Sequence, residues 1–186
     1  MFIQTEATPN PQTLKFLPGR EVLQGEPRDF RDPGDAAVSP LASALFTIEG
    51  VTGVFLGHDF VSVTKDGGDW AHLKPAVLGA IMEHFMAGNP VLAGTSEASP
   101  EPSEIFFEPE DAELVEVIKE LLETRVRPAV AMDGGDVTLK GYKDGMVYLH
   151  MQGACSGCPS SIATLKNGIE NLLRHFVPGV QGVAEI

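Results

Sequence analysis

Between Asn89 and Glu108 the chain reads NPVLAGTSEASPEPSEIFFE, with three Pro, four Glu and no Lys or Arg. Such a composition buries too little apolar surface to offset its ordering entropy, and twenty structureless residues do not belong inside one compact domain. The segment therefore predicts a flexible, acidic, Pro-containing linker over 89–108, with a small domain on each side, 1–88 and 109–186. As a coil it spans ~25 Å root-mean-square, which lets the two domains move independently. Ile105, Phe106 and Phe107 interrupt its polarity and are expected to dock on the second domain.

Thirteen Lys and Arg stand against 26 Asp and Glu, a formal net charge of −13. The excess is spread as −5, −4 and −4 over residues 1–90, 91–108 and 109–186, so neither domain is a basic anchor. That argues against nucleic acid or an anionic membrane as partner. No run approaches the ~18 consecutive apolar residues of a membrane-spanning helix. The start, Met1 to Glu6, has neither the basic nor the apolar region of a secretory signal. A soluble, non-exported chain is expected.

Periodicity predicts an α+β chain of two small domains. In the first, Thr13–Leu17 reads as a strand and Leu41–Phe46 as a helix. Val54–Leu56 and Phe60–Thr64 flank the turn residues Gly57-His58-Asp59 as a hairpin. Leu73, Val77, Ile81 and Phe85 recur on one face of a helix over Trp70–Met86. The second domain opens with an acidic helix start at Pro109, whose buried stripe is Leu114, Val117, Ile118, Leu121 and Leu122, and which Pro128 should end. A hairpin follows, Asp136–Lys140 and Met146–Gln152, then a helix from Pro159 and a last strand within Val180–Ile186. His58, His72 and His84 show no ligand spacing. Asp133-Gly134-Gly135-Asp136 reads as a turn into a strand rather than a cation site, and His150 as a solvent-facing strand residue.

Only two cysteines are present, Cys155 and Cys158, too close together to staple a domain. Gly153-Ala154-Cys155-Ser156-Gly157-Cys158-Pro159 lies where a strand ends and a helix begins. The helix start at Cys158 favours a thiolate, and the glycines let backbone turn tightly around a bulky ligand. Three chemistries use such a pair. A thiol-disulfide oxidoreductase is one, but only 28 residues follow Cys158, too few for the elements that a thioredoxin-like domain places after its motif. A zinc site needs four ligands, and one chain offers two thiols. An iron-sulfur cluster prefers four thiolates, which two chains supply together.

The second domain resembles the NifU C-terminal domain in Arg127-Pro128, Asp133-Gly134-Gly135-Asp136-Val137, Gly153-Ala154-Cys155, Cys158-Pro159-Ser160-Ser161 and Thr164-Leu165-Lys166-Asn167-Gly168-Ile169-Glu170. The first resembles the Nfu N-terminal domain in Thr8-Pro9-Asn10-Pro11, Leu14-Lys15-Phe16, Leu45-Phe46, Gly50-Val51 and Asp59 through Lys65. The resemblance implies an iron-sulfur scaffold or carrier rather than an enzyme. Cys155 and Cys158 of two protomers would hold a labile cluster, usually 4Fe-4S with 2Fe-2S as the alternative. It further implies a homodimer when loaded, upstream cluster donors, and apo iron-sulfur proteins as clients. A dithiol redox protein and a zinc-bridged dimerisation module are the competing readings. Family members in mitochondria carry transit peptides, and here the matching domain begins almost at residue 1, so a bacterial cytoplasm is expected before a mitochondrial matrix.

Overall fold

A computed structural model describes residues 1–93, 104–156 and 159–186, without the side chains of 159–161. The chain divides into two compact units, Met1–Glu97 and Ala98–Ile186. The first contains β1 (Gln4–Ala7), β2 (Thr13–Leu17), β3 (Arg28–Phe30), α1 (Pro40–Phe46), β4 (Val51–Leu56), β5 (Val61–Lys65) and α2 (Trp70–Met86). Its antiparallel sheet has the order β1-β2-β5-β4-β3. Strand alternation sets Phe16 opposite Val61 and Val54 opposite Val63. These residues share one core with Leu41, Ala42 and Leu45 of α1 and Val77, Ile81 and Phe85 of α2.

β1 and β3 add to the strands expected from pattern. Both are edge strands of four and three residues, held by backbone pairing to a neighbour rather than by an apolar repeat of their own. Ser39 caps α1, accepting from the Ala42 N–H at 3.1 Å, and its hydroxyl donates to the Val91 carbonyl at 2.5 Å. With the Ala93 N–H donating to the Val38 carbonyl, the first residues of the expected linker lie on the first unit. Residues 94–103 of that linker fall outside the described residues.

The second unit runs α3 (Ala112–Leu121), a π-helical turn (Leu122–Val126), α4 (Arg127–Met132), β6 (Gly135–Lys143), β7 (Met146–Gly153), α5 (Pro159–Phe176) and β8 (Gly182–Glu185). β7 is central, antiparallel to β6 and parallel to β8. The helices bury Val115, Ile118, Leu122, Val126, Val130, Ile169 and Leu173 against Val137, Leu139, Val147, Leu149 and Met151. Val117, expected in the stripe, is 44% exposed, and Val115 is buried instead.

Pro128 does not end the first helix as expected. It sits in the first turn of α4, where a missing N–H costs nothing, and the π-helical turn just before it resets the hydrogen-bond ladder. The hairpin loop is also shorter than Gly141–Gly145. Asp144 (φ 51°) and Gly145 (φ 79°) form a two-residue turn between Lys143 and Met146, and β6 bulges between Leu139 and Gly141. At that bulge Phe106 docks: its N–H donates to the Lys140 carbonyl, its carbonyl accepts from the Tyr142 N–H at 2.8 Å, and its ring lies 5.2 Å from that of Tyr148.

Candidate functional site

Strand alternation aims the site. Along β7, Val147, Leu149 and Met151 point into the core, so His150 points away from it, with Nδ1 hydrogen-bonded to the Ile186 carbonyl at 2.8 Å. At the strand end Gly153 takes φ 68°, a conformation that L side chains rarely adopt, and the chain folds back over the start of β6. The Ala154 N–H donates to the Gly134 carbonyl at 3.2 Å. The Ser156 hydroxyl donates to the Gly153 carbonyl at 3.0 Å.

This turn delivers Cys155 into the unit, where it is 5% exposed and packs with the core. Its sulfur occupies the space that a side chain at Gly135 would need. A Cβ built there would stand 2.7 Å from the Cys155 Sγ and 2.6 Å from the Gln152 carbonyl oxygen. Next in β6, Asp136 is 4% exposed, and its two oxygens take 2.9 Å and 2.8 Å hydrogen bonds from Nε and Nη2 of Arg127. A paired arginine fork is the expected companion of a buried carboxylate.

The thiolate bias expected at the helix start concerns Cys158, outside the described residues, whereas at Cys155 the electrostatics favour the protonated thiol. Burial, then the negative charges of Asp133 and Asp136, pushes the Cys155 thiol up to about 12. Desolvation and nearby carboxylates both disfavour a second negative charge, and in the turn after β7 they prevail. Cys155 is therefore a neutral thiol at physiological pH. Both nucleophilic attack and metal ligation use the thiolate, so either requires this proton to leave, and a soft metal can displace it on binding.

Cys158, the other expected ligand, lies outside the described residues. Among the described residues no group of three or more His, Cys, Asp and Glu is placed to hold a metal ion. No described helix is long and apolar enough to cross a membrane. Asp133 to Asp136 does form a turn: the Asp133 and Gly134 N–H groups donate to the carbonyls of Val130 and Ala131 at the end of α4. Gly135 and Asp136 beside Cys155, and Arg127, which pairs with Asp136, were not among the expected site residues. The available signal was Asp136 directly ahead of the apolar Val137, since a carboxylate entering a buried strand requires a cationic partner.

A family model described as "Scaffold protein Nfu/NifU N terminal" matches residues 3–88, and one described as "NifU-like domain" matches residues 118–184. A human protein described as "NFU1 iron-sulfur cluster scaffold homolog, mitochondrial" is 50% identical over 188 residues, covering 100% of this chain and 72% of its own length. A protein of the same description from Drosophila sechellia is also 50% identical over 188 residues, with 65% of its length covered. The solution structure of a NifU-like protein from Saccharomyces cerevisiae matches at a TM-score of 0.46 and 28% identity, covering 52% of this chain and 87% of that one. The descriptions of the two relatives overturn the expected bacterial cytoplasm. That expectation leaned on the matching domain starting near residue 1, and both relatives extend beyond the matched span, so the start of the match carries no information about location.

Proposed function

The chain belongs to the Nfu family of iron-sulfur cluster scaffold proteins, and we propose that it carries a labile cluster between two copies of itself, bound through Cys155 and Cys158, and hands it to apo-proteins. The observation that carries this reading is the Cys155 thiol on the turn that Gly153 starts at the end of β7, within the span matched by the NifU-like family model. Two thiols from each chain make the four that a 4Fe-4S cluster prefers.

In this reading the cysteines are ligands and not turnover nucleophiles. On loading, the Cys155 S–H bond breaks as its bond to iron forms, and the proton leaves to solvent. Four thiolates around a core of charge +2 leave −2, and Asp133 and Asp136 lie close enough to Cys155 to act on its charge. A site that disfavours added negative charge holds its cargo loosely, which suits transfer to an acceptor richer in ligands. The test is anaerobic reconstitution of Cys155→Ser and Cys158→Ser. Each should lose most of the wild-type iron and sulfide content, and wild-type content in either variant would overturn the assignment.

A further inference from the structure

We propose that Gly135 is a positioning residue for cluster transfer: its missing side chain forms a seat that stores the Cys155 thiol inside the unit between deliveries. This rests on Cys155 being a cluster ligand. The seat itself is geometric. Cys155 is 5% exposed, and a methyl group on Gly135 would come within 2.7 Å of its sulfur and 3.2 Å of its Cβ. A sulfur so enclosed cannot also touch an iron atom of a cluster shared with a second chain. Loading therefore requires the thiol to leave the seat, and release lets it return.

The turn that carries Cys155 is tied at its start and again at Ser156, whose N–H and hydroxyl both donate to the Gly153 carbonyl. Gly153 pairs with Gly135 in the β6–β7 ladder, and the Ala154 N–H donates to the Gly134 carbonyl. Rotation of the Cys155 side chain about its Cα–Cβ bond moves the sulfur without breaking the ladder. When the thiol swings out, its S–H bond breaks, its bond to iron forms and the proton goes to solvent. When an acceptor thiolate takes the iron, the Cys155 sulfur regains a proton from solvent and reseats. No electron is exchanged. Reseating competes with the cluster for the same sulfur, so the seat lowers the hold on the cargo and favours delivery.

The experiment follows alkylation of the metal-free full-length chain by iodoacetamide, read at Cys155 by peptide mass spectrometry, beside chelator stripping of the reconstituted chain. In Gly135→Ala the added methyl displaces the sulfur. Cys155 should alkylate about tenfold faster than in wild type, and the cluster should be stripped severalfold more slowly. Unchanged rates of both would overturn the seat. The Gln152 carbonyl lies 2.6 Å from the added methyl, so this variant puts the ladder at risk. The wild-type chain supplies the independent measurement. Its Cys155 should react at least about a hundredfold more slowly than in the guanidine-unfolded chain at the same pH, and a rate within about threefold of the unfolded one would overturn the seat. These alkylation rates need no cluster. A seated thiol in a chain that binds no iron would sink the proposed function, while an unseated thiol in a chain that binds a cluster would sink the seat alone.

Discussion

In the first unit most of the buried polar residues answer needs of local structure, whereas in the second the one buried carboxylate among the described residues lies beside a buried thiol. Asn10 uses its side-chain oxygen to accept from the Gln12 N–H, Ser39 caps α1, and the Thr13 hydroxyl meets that of Thr64 across two strands at 2.8 Å. Lys15, 6% exposed, pairs with Glu6 at 3.5 Å and lies 4.8 Å from the centre of the Phe60 ring. These contacts are spread over the strands and their connections. In the second unit Arg127, Asp136, Gly135 and Cys155 come together where β6 begins, beside a backbone turn at Gly153. Buried polarity alone does not mark a site. Its convergence on a reactive atom held in an uncommon backbone turn does.

Core truncation should show how far the two units are independent, and it carries the largest effect. Leu45→Ala and Leu173→Ala each remove a fully buried side chain, and each should cost its own unit about 2–5 kcal/mol. Trp70 lies in the first unit, and Tyr142 and Tyr148 in the second, so urea unfolding followed at each chromophore separates them. Loss of both transitions to the same extent in either variant would contradict independent units.

Breaking the buried pair comes next. Asp136→Ala removes the buried carboxylate that takes two hydrogen bonds from Arg127, whose side chain is 28% exposed, and should destabilise the second unit by roughly 2–4 kcal/mol, toward the lower part of the usual range because solvent screens the arginine. Lys15→Met in the first unit removes a charge whose partner Glu6 is 42% exposed and can return to water, so its effect should be within about 1 kcal/mol. Equal losses would erase the contrast between the units.

The raised Cys155 pKa predicts a pH dependence confined to the second unit. The unfolded thiol titrates near 9.0 and the folded one at about 12. Between those values the unfolded chain has released a proton that the folded chain still holds. The stabilisation is therefore complete below about pH 9 and is lost as pH rises toward 12, at up to ~1.4 kcal/mol per pH unit. Urea midpoints of metal-free chain at pH 8 and pH 10 should fall for the second unit, and Cys155→Ala should flatten that fall. An unchanged slope in the variant would remove Cys155 as its cause. An effect of comparable size to that of Lys15→Met is expected at the start of α1, where Ser39→Ala removes the cap and should cost ~1 kcal/mol, read as a shift of the Trp70 transition alone.

Much of this comparison was legible in the residues. The apolar repeat of α2, the hairpin of β6 and β7, and a helix over Pro159–Phe176 follow from period and punctuation, and the thiol pair stands out by spacing and composition. What escaped depends on distant partners. β1 and β3 have no apolar alternation to reveal them and exist because a neighbouring strand offers hydrogen bonds. Pro128 looked like a stop because a one-residue rule cannot foresee the π-helical turn before it. The protonated state of Cys155 was not foreseen because it comes first from burial in the second core and then from Asp133 and Asp136, some twenty residues upstream in sequence and close in space, and none of these is visible in the motif itself.

The central claim is that two copies of the second unit share one cluster, and mass with composition tests it most directly. Native mass spectrometry of the full-length chain before and after anaerobic reconstitution, with iron and sulfide measured on the same samples, should show loading that converts monomer to dimer. About one cluster should be present per two chains, and chelation should reverse the change. A loaded monomer carrying a complete cluster on its own, with no added thiol ligand, would contradict it.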